Sequence, residues 1–188
     1  MRRIAVGILA SMMVLVIAAA PAAAQKKEAL KARGYFGVGG GLALPVGDYA
    51  DAFKTGWDGD VFGGVTTKGG LWGVRADLMW AQNNLKAGLN GHERLAGLNA
   101  DLVITPGHRP ADWHPYFLAG IGVYNGKESA AGVTGSDTKL AVNAGAGIQI
   151  HTGHRMDVFL EGRFVTIRTP GSALNFVPFN VGFRWGGI

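Results

Sequence analysis

The chain has 188 residues without a cysteine, and 31 of its residues are glycine. The lack of cysteine excludes a disulfide framework and any thiolate metal or redox site. The formal net charge of +5 is modest, and no run of basic residues is interleaved with aromatic ones, so nucleic-acid binding is not supported. High glycine content and a charged fraction of only 16% are typical of a β-rich envelope protein rather than of a helical enzyme.

The first 24 residues have the parts of a secretory signal peptide. Arg2 and Arg3 give a positive start, the stretch from Ile4 to Ala20 is apolar, and small residues at 22–24 provide a cleavage site. We expect cleavage before Gln25 rather than a retained membrane anchor, followed by a short periplasmic segment over residues 25–33. The mature chain would have 164 residues, which is the size of one domain. Without the two arginines its net charge would be +3.

Eight extended segments are predicted between turn signals in the mature chain. Each has about 10–14 residues, which is longer than the ~5–6 of a typical soluble strand and close to the ~9–11 that cross a bilayer at a tilt. Their many internal glycines argue against helix. The predicted strands are Gly34–Leu44, Trp57–Lys68, Leu71–Gln82, Glu93–Thr105, Trp113–Asn125, Lys139–His151, Arg155–Arg168 and Asn175–Trp185.

Apolar and polar residues alternate along most of these segments, which predicts two faces of different character. The last strand is the clearest case. Its apolar face comprises Val177, Phe179, Val181, Phe183 and Trp185, opposite Phe176, Pro178, Asn180, Gly182 and Arg184. A soluble sheet would hide the apolar face in a core, whereas a transmembrane barrel turns it toward lipid.

The connections alternate between long and short along the chain. Outer-membrane barrels place short turns in the periplasm and longer loops outside. The predicted long connections are Pro45–Gly56, Asn83–His92 and Gly126–Thr138, and the tight turns are Gly69–Gly70 and Thr152–His154. With both termini in the periplasm, an up-and-down meander of eight strands reproduces this order, although Pro106–Asp112 is long for a periplasmic turn.

Aromatic residues near the strand ends predict girdles at the two membrane interfaces. Trp72 and Trp80 share a face eight residues apart, which separates them by ~20 Å along the membrane normal at the usual strand tilt. The predicted girdle residues are Trp72, Trp80, Trp113, Tyr116 and Trp185.

The polar faces place nine charged residues in the predicted lumen: Asp60, Arg75, Asp77, Glu93, Asp101, Asp157, Glu161, Arg163 and Arg184. Isolated buried charges are costly, so we expect these groups to pair. Eight strands enclose a space that side chains just fill, and an internal salt-bridge network would therefore plug the barrel. A gated path for protons or ions is the alternative.

No familiar catalytic or metal-binding pattern occurs in the sequence. The patterns His-Glu-x-x-His and Gly-x-Ser-x-Gly are missing, and the mature serines fall in predicted loops. The Asp-x-Asp of Asp58–Asp60 is not followed by the further ligands of a calcium loop. The sequence therefore predicts no catalytic, cofactor or metal site.

Three stretches resemble the outer-membrane β-barrel domain family of OmpA-like and OmpX-like proteins, within the wider porin family. They are Tyr35–Tyr49, Pro115–Tyr124 and Val177–Trp185, and the resemblance extends from about Tyr35 onward. It implies an eight-stranded barrel and insertion by the barrel-assembly machinery with periplasmic chaperones. It also implies contact with outer-membrane lipid and lipopolysaccharide, and often no enzymatic activity. The residues Gly186, Gly187 and Ile188 depart from the terminal aromatic residue of that family's insertion signal.

The leading hypothesis is a monomeric, non-enzymatic barrel in the outer membrane of a Gram-negative-type bacterium. It would stabilise the envelope or present its loops outside. The main alternative is a secreted or periplasmic lipocalin-like barrel that binds a small apolar ligand inside and turns its charges toward water. A narrow pore, or a barrel enzyme acting on lipid A or phospholipid, is the third hypothesis.

Overall fold

The structure, a computed structural model, describes residues 32–67, 69–86, 91–106, 112–130, 133–153, 156–169 and 172–186. The predicted signal peptide lies outside the described residues, as does nearly all of the predicted segment 25–33. No helix in the described ranges is long and apolar enough to cross a membrane.

Eight antiparallel strands form one closed barrel, in which each strand pairs with its neighbours along the chain and the last pairs with the first. One short helix precedes the second strand. The elements are β1 (Arg33–Val46), α1 (Asp48–Ala52), β2 (Gly56–Thr66), β3 (Trp72–Asn84), β4 (Gly91–Ile104), β5 (Trp113–Ala130), β6 (Val133–His151), β7 (Met156–Thr169) and β8 (Ser172–Gly186). The eight predicted strands and the up-and-down barrel are confirmed.

Both described chain ends lie at one end of the barrel, which we call the terminal end; the opposite end is the loop end. Both predicted tight turns are at the terminal end. Gly70 and Gly153 adopt positive φ angles of 74° and 90° there, a conformation that glycine adopts without steric cost. These turns set the register of the strand pairs that they connect.

The loop end differs from the prediction in two connections. The predicted long loop Gly126–Thr138 is mostly strand, because β5 continues to Ala130 and β6 begins at Val133. The side-chain amide of Asn125 donates to the hydroxyl oxygens of Ser136 and Thr138 at 3.1 and 2.9 Å, so polar groups pair across this hairpin. The predicted loop Pro45–Gly56 contains α1.

The upper part of β6 pairs on one side only. Its pairing with β7 ends at Ala141, which faces Ile167, whereas its pairing with β5 continues to Val133. Within the described ranges, residues 133–140 therefore pair with no residue of β7. We call this segment the free edge of β6.

The apolar face of the barrel points outward. Large hydrophobic side chains on every strand are exposed, and Ile121 and Leu140 reach 65% exposure. The charged face points inward. This arrangement contradicts the lipocalin-like alternative, which required the charges to face water and the aliphatic groups to line the interior. It is the arrangement of a transmembrane barrel.

Candidate functional site

All nine charged residues that the sequence placed in the lumen project into the barrel. Eight of them are buried, and Arg184 is partly buried. The structure does not bring them into one cluster. Five of them meet near the middle of the lumen, and we call these five the central network: Arg75, Asp77, Asp101, Glu161 and Arg163.

The two arginines of the central network bridge its three acids. Arg75 donates to Glu161 from Nη1 at 2.7 Å and to Asp77 from Nη2 at 2.7 Å. Arg163 donates from Nη1 to Asp101 at 3.0 Å and from Nε to Glu161 at 2.5 Å, and its Nη2 contacts Asp77. These bonds connect β3, β4 and β7 across the lumen, so they fix the relative positions of strands that are not adjacent. Charge-assisted bonds of this kind are among the strongest that side chains form.

Neutral groups complete the network. Asn143 donates to Asp101 at 2.9 Å, and the hydroxyl of Tyr116 donates to Glu161 at 2.6 Å. The assignment of Tyr116 to the aromatic girdle is therefore wrong: the ring is buried inside the barrel. Tyr116 lies three residues after the exposed Trp113, and an odd spacing along a strand places two side chains on opposite faces.

The other four predicted lumen charges lie apart from these five. Asp60 accepts a bond from Asn180 at 3.0 Å. Asp157 is 2.8 Å from Nδ1 of His151 at the terminal end. There the guanidinium of Arg184 lies 3.9 Å above the ring of Tyr35. Glu93 lies near the loop end, eight residues along β4 from Asp101.

Apolar layers enclose the charged layer on both sides. On the terminal side, buried side chains form two small clusters, one of Tyr35, Phe62 and Phe159 and one of Val103, Tyr116 and Leu118. On the loop side lies the loop-end cluster: Ala43, Tyr49, Met79, Ala81, Leu95, Tyr124, Ala141, Val165, Ile167 and Phe176. The two layers separate the central network from both openings of the barrel.

Helix α1 closes the loop side of this packing. Its Tyr49 is buried in the loop-end cluster. The amide nitrogen of Asn83 donates to the carbonyl oxygens of Ala43 and Lys54 at 3.0 and 2.9 Å, which ties the connection after β1 to the top of β3. The backbone of Lys86 donates to Ala52 at 2.8 Å.

Four of the predicted girdle residues lie on the outer surface. Trp72 and Trp113 are exposed at the terminal end, where Trp185 stacks on Phe36 with ring centroids 5.3 Å apart. Trp80 is exposed toward the loop end. Next to that position lies Trp57, an exposed residue that was not predicted to belong to the girdle.

Asp58 is a further lumen residue that was not predicted from the sequence. Its side chain is buried, and it lies two residues from Asp60 on the inward face of β2. Alternate residues of a strand share a face, so the inward position of Asp60 also predicts an inward position for Asp58. In the described part of the chain, no group of three or more histidine, cysteine or acidic side chains is arranged to hold a metal ion.

Comparisons with known proteins agree with this architecture. Neisserial surface protein A superposes with a TM-score of 0.64 at 11% identity over 81% of this chain and 96% of that chain. A major outer membrane protein from Thermus thermophilus gives a TM-score of 0.60 at 12% identity over 83% of this chain and 99% of that one. Ail from Yersinia pestis, in complex with the heparin analogue sucrose octasulfate, gives 0.56 at 15% identity over 82% and 99%. A search of curated proteins gave no match.

These structural likenesses show the fold. The family is shown by the sequence, because the family model described as "Outer membrane protein beta-barrel domain" matches residues 10–186. The chain belongs to the outer membrane protein β-barrel domain family, and it is a transmembrane barrel of the outer membrane.

Proposed function

We propose that this protein is a non-enzymatic, non-conducting barrel that strengthens the outer membrane and displays its loop end outside the cell. The observation that carries the proposal is the layered lumen. Two apolar layers enclose the central network, in which Arg75 and Arg163 are bonded to three acids. A continuous water path would have to displace packed side chains such as Tyr124 and Phe176.

The loop end supports the part of the proposal that concerns display. The hairpin of β5 and β6 is the longest in the barrel, with strands of 18 and 19 residues. Its upper part carries exposed polar residues that include Lys127, Ser136 and Asp137. A hydrogen-bonded ladder of this kind restricts the backbone, which lowers the entropy lost when a partner binds.

Conductance in planar lipid bilayers tests the plugged lumen. We expect no stepwise current from the purified, folded protein, while a porin added to the same membrane conducts. Steps whose number increases with the amount of folded barrel would overturn the plugged lumen.

A separate experiment tests the lack of enzymatic activity. The folded barrel is incubated with vesicles of lipopolysaccharide and phospholipid, and the acyl chains are examined by mass spectrometry. We expect no change, and acyl transfer or hydrolysis in proportion to the protein would refute this part.

The route to the membrane is also part of the proposal. The predicted signal peptide over residues 1–24 would direct export. Periplasmic chaperones and the barrel-assembly machinery would then insert the chain as a monomer among lipid and lipopolysaccharide. Fractionation with and without boiling in SDS tests this route, because a folded barrel migrates faster when it is not boiled. A band in the soluble periplasmic fraction without such a shift would contradict it.

A further inference from the structure

Three polar side chains converge beside the central network, over a glycine strip on β1. Asp58 and Asp60 point inward from β2, and Asn180 points inward from β8. Strand β1 lies between them, and its Gly41 pairs with Asp58 on one side and with Asn180 on the other. Gly41 has no side chain, so the two polar groups face each other across bare backbone.

Four oxygen atoms of this group have no hydrogen-bond partner of normal geometry among the described residues, although the amide of Asn180 lies near enough to Asp58 to stabilise its carboxylate. They are both carboxylate oxygens of Asp58, Oδ2 of Asp60 and Oδ1 of Asn180. The three residues are only 3%, 4% and 3% exposed. Leaving a buried polar group without a partner is costly, and leaving a buried charge without one costs more. Because the four unpaired oxygen atoms lie in one place, a single bound group could satisfy all of them.

The orientation of Asn180 directs its free oxygen into the space between the strands. Its amide nitrogen donates to Oδ1 of Asp60 at 3.0 Å, which assigns the nitrogen and oxygen of this amide. The amide oxygen then lies over Gly41, only 2.7 Å from where a Cβ on that glycine would be. A Cβ on Gly39 would likewise lie 2.6 Å from Oδ1 of Asp60. Side chains at these two glycines would occupy the space that the oxygens border.

The lumen arginines leave this group without a bonded cation. Arg75 attracts Asp60 electrostatically, but its hydrogen bonds go to Asp77 and Glu161. Among the described residues, neither Asp58 nor Asp60 forms a salt bridge. The two carboxylates also lie close enough to repel each other. The site therefore combines negative charge with oxygen atoms that can only accept.

We propose that Asp58, Asp60 and Asn180 bind one divalent cation of the calcium class. Carboxylate and amide oxygens are ligands of hard cations, and no nitrogen or sulfur ligand is involved. One divalent ion would balance both carboxylates and would also satisfy the amide oxygen. Calcium accepts irregular sets of six to eight oxygens, including water and backbone carbonyls, whereas magnesium demands near-octahedral geometry and retains its water. The inference goes beyond the proposed function, because it assigns a ligand to the lumen.

The test uses full-length mature protein refolded from urea into a zwitterionic detergent that contains no lipopolysaccharide, since lipopolysaccharide itself binds divalent ions. After treatment with a chelator, Ca²⁺ or Mg²⁺ is added in a dilution series. The fraction that remains folded on an unboiled gel is followed against temperature, and bound metal is measured by elemental analysis. Because a ligand that binds only the folded state stabilises it, we expect the unfolding midpoint to rise with Ca²⁺ concentration. Binding should saturate at one ion per barrel.

The variants Asp58→Asn and Asp60→Asn identify the site. In chelator, Asp58→Asn should fold at least as well as the wild type, because it removes a buried charge. It should need at least tenfold more Ca²⁺ for the same rise in the midpoint. Asp60→Asn should behave similarly and provides a second variant if the first fails to fold. Asp137→Asn changes an exposed carboxylate on the hairpin and should respond as the wild type does.

Several outcomes would overturn the proposal. They are a wild-type midpoint that does not respond to Ca²⁺, the absence of bound metal after dialysis, or an Asp58→Asn variant that keeps the full response. An equal response to Mg²⁺ at the same concentration would overturn the assignment to calcium. In the first two cases, protons or water would satisfy the carboxylates.

Discussion

The side chain of Arg163 contacts three buried carboxylates, so its removal should weaken the barrel substantially. In the Arg163→Ala variant, Asp77 and Glu161 keep their bonds to Arg75. Asp101 loses its cation and keeps a hydrogen bond from Asn143. Three acids would then share one arginine.

The magnitude follows from the charge that is left behind. Breaking a buried ion pair by removing one partner costs ~3–5 kcal/mol, because the remaining charge stays in a medium of low polarity. With a urea dependence of ~2 kcal/mol per molar, the unfolding midpoint should fall by ~1.5–2.5 M. Arg163→Lys keeps the charge, but an ammonium group cannot bond three acids as the planar guanidinium does. The urea midpoint of this variant should therefore lie between those of the wild type and the alanine variant.

Urea unfolding in phospholipid vesicles, followed by tryptophan fluorescence, provides the assay. Arg168→Ala is the matched control, because Arg168 lies on the same strand and is exposed. Its effect should stay within ~0.5 kcal/mol. The double variant Arg163→Ala/Asp101→Asn removes the acid that lost its cation and should regain part of the stability. A loss below ~1 kcal/mol for Arg163→Ala, with no gain in the double variant, would refute the reasoning.

Three further substitutions test other parts of the barrel. Leu160→Arg puts a charge on the outward face of β7 and should reduce insertion by ~2–4 kcal/mol, measured as the folded fraction on unboiled gels. Tyr116→Phe removes the 2.6 Å bond to Glu161 and should lower the unfolding free energy by ~1.5–3 kcal/mol in urea titrations. Gly97→Ala would place a Cβ 2.4 Å from the ring of Tyr124, and the resulting overpacking should cost ~1–3 kcal/mol in the same assay.

Two of these substitutions, Leu160→Arg and Gly97→Ala, have a matched control. Leu160→Phe keeps the surface apolar and should insert normally. Gly63→Ala should be tolerated, because its new Cβ faces outward and meets its nearest atom only at 3.9 Å. If Leu160→Arg folds as well as Leu160→Phe, this face does not contact lipid. If Gly97→Ala and Gly63→Ala are equally stable, the lumen at Gly97 is less tightly packed than the structure indicates.

The strands and their inward faces could be predicted because lipid imposes a simple pattern. A strand inside a bilayer needs an apolar outer face, so period two marks both its extent and its orientation. The alternation from Phe176 to Trp185 is an example, and the structure places Val181 outside and Asn180 inside. The same pattern was available for Tyr116, whose girdle assignment followed its nearness to Trp113 rather than its parity.

The bonds within the lumen could not be predicted. Arg75 and Glu161 are 86 residues apart, and their contact depends on the stagger between strands on opposite sides of the barrel. Alternation identifies which residues face inward but not which of them lie at the same height. The length of the β5–β6 hairpin could not be predicted either. A strand with water on both faces needs no alternation of apolar and polar residues, and the sequence from Gly126 to Thr138 shows none.

The free edge of β6 limits the position of the outer boundary of the bilayer's hydrocarbon core. Lipid offers no hydrogen bonds, so every backbone group at hydrocarbon depth must be paired within the protein. In the part of the chain that the structure describes, pairing between β6 and β7 runs from His151 to Ala141 and stops there. On this side of the barrel the outer hydrocarbon boundary must therefore lie at or below Ala141. The paired segment of eleven residues matches the ~9–11 that a tilted strand needs to cross a bilayer.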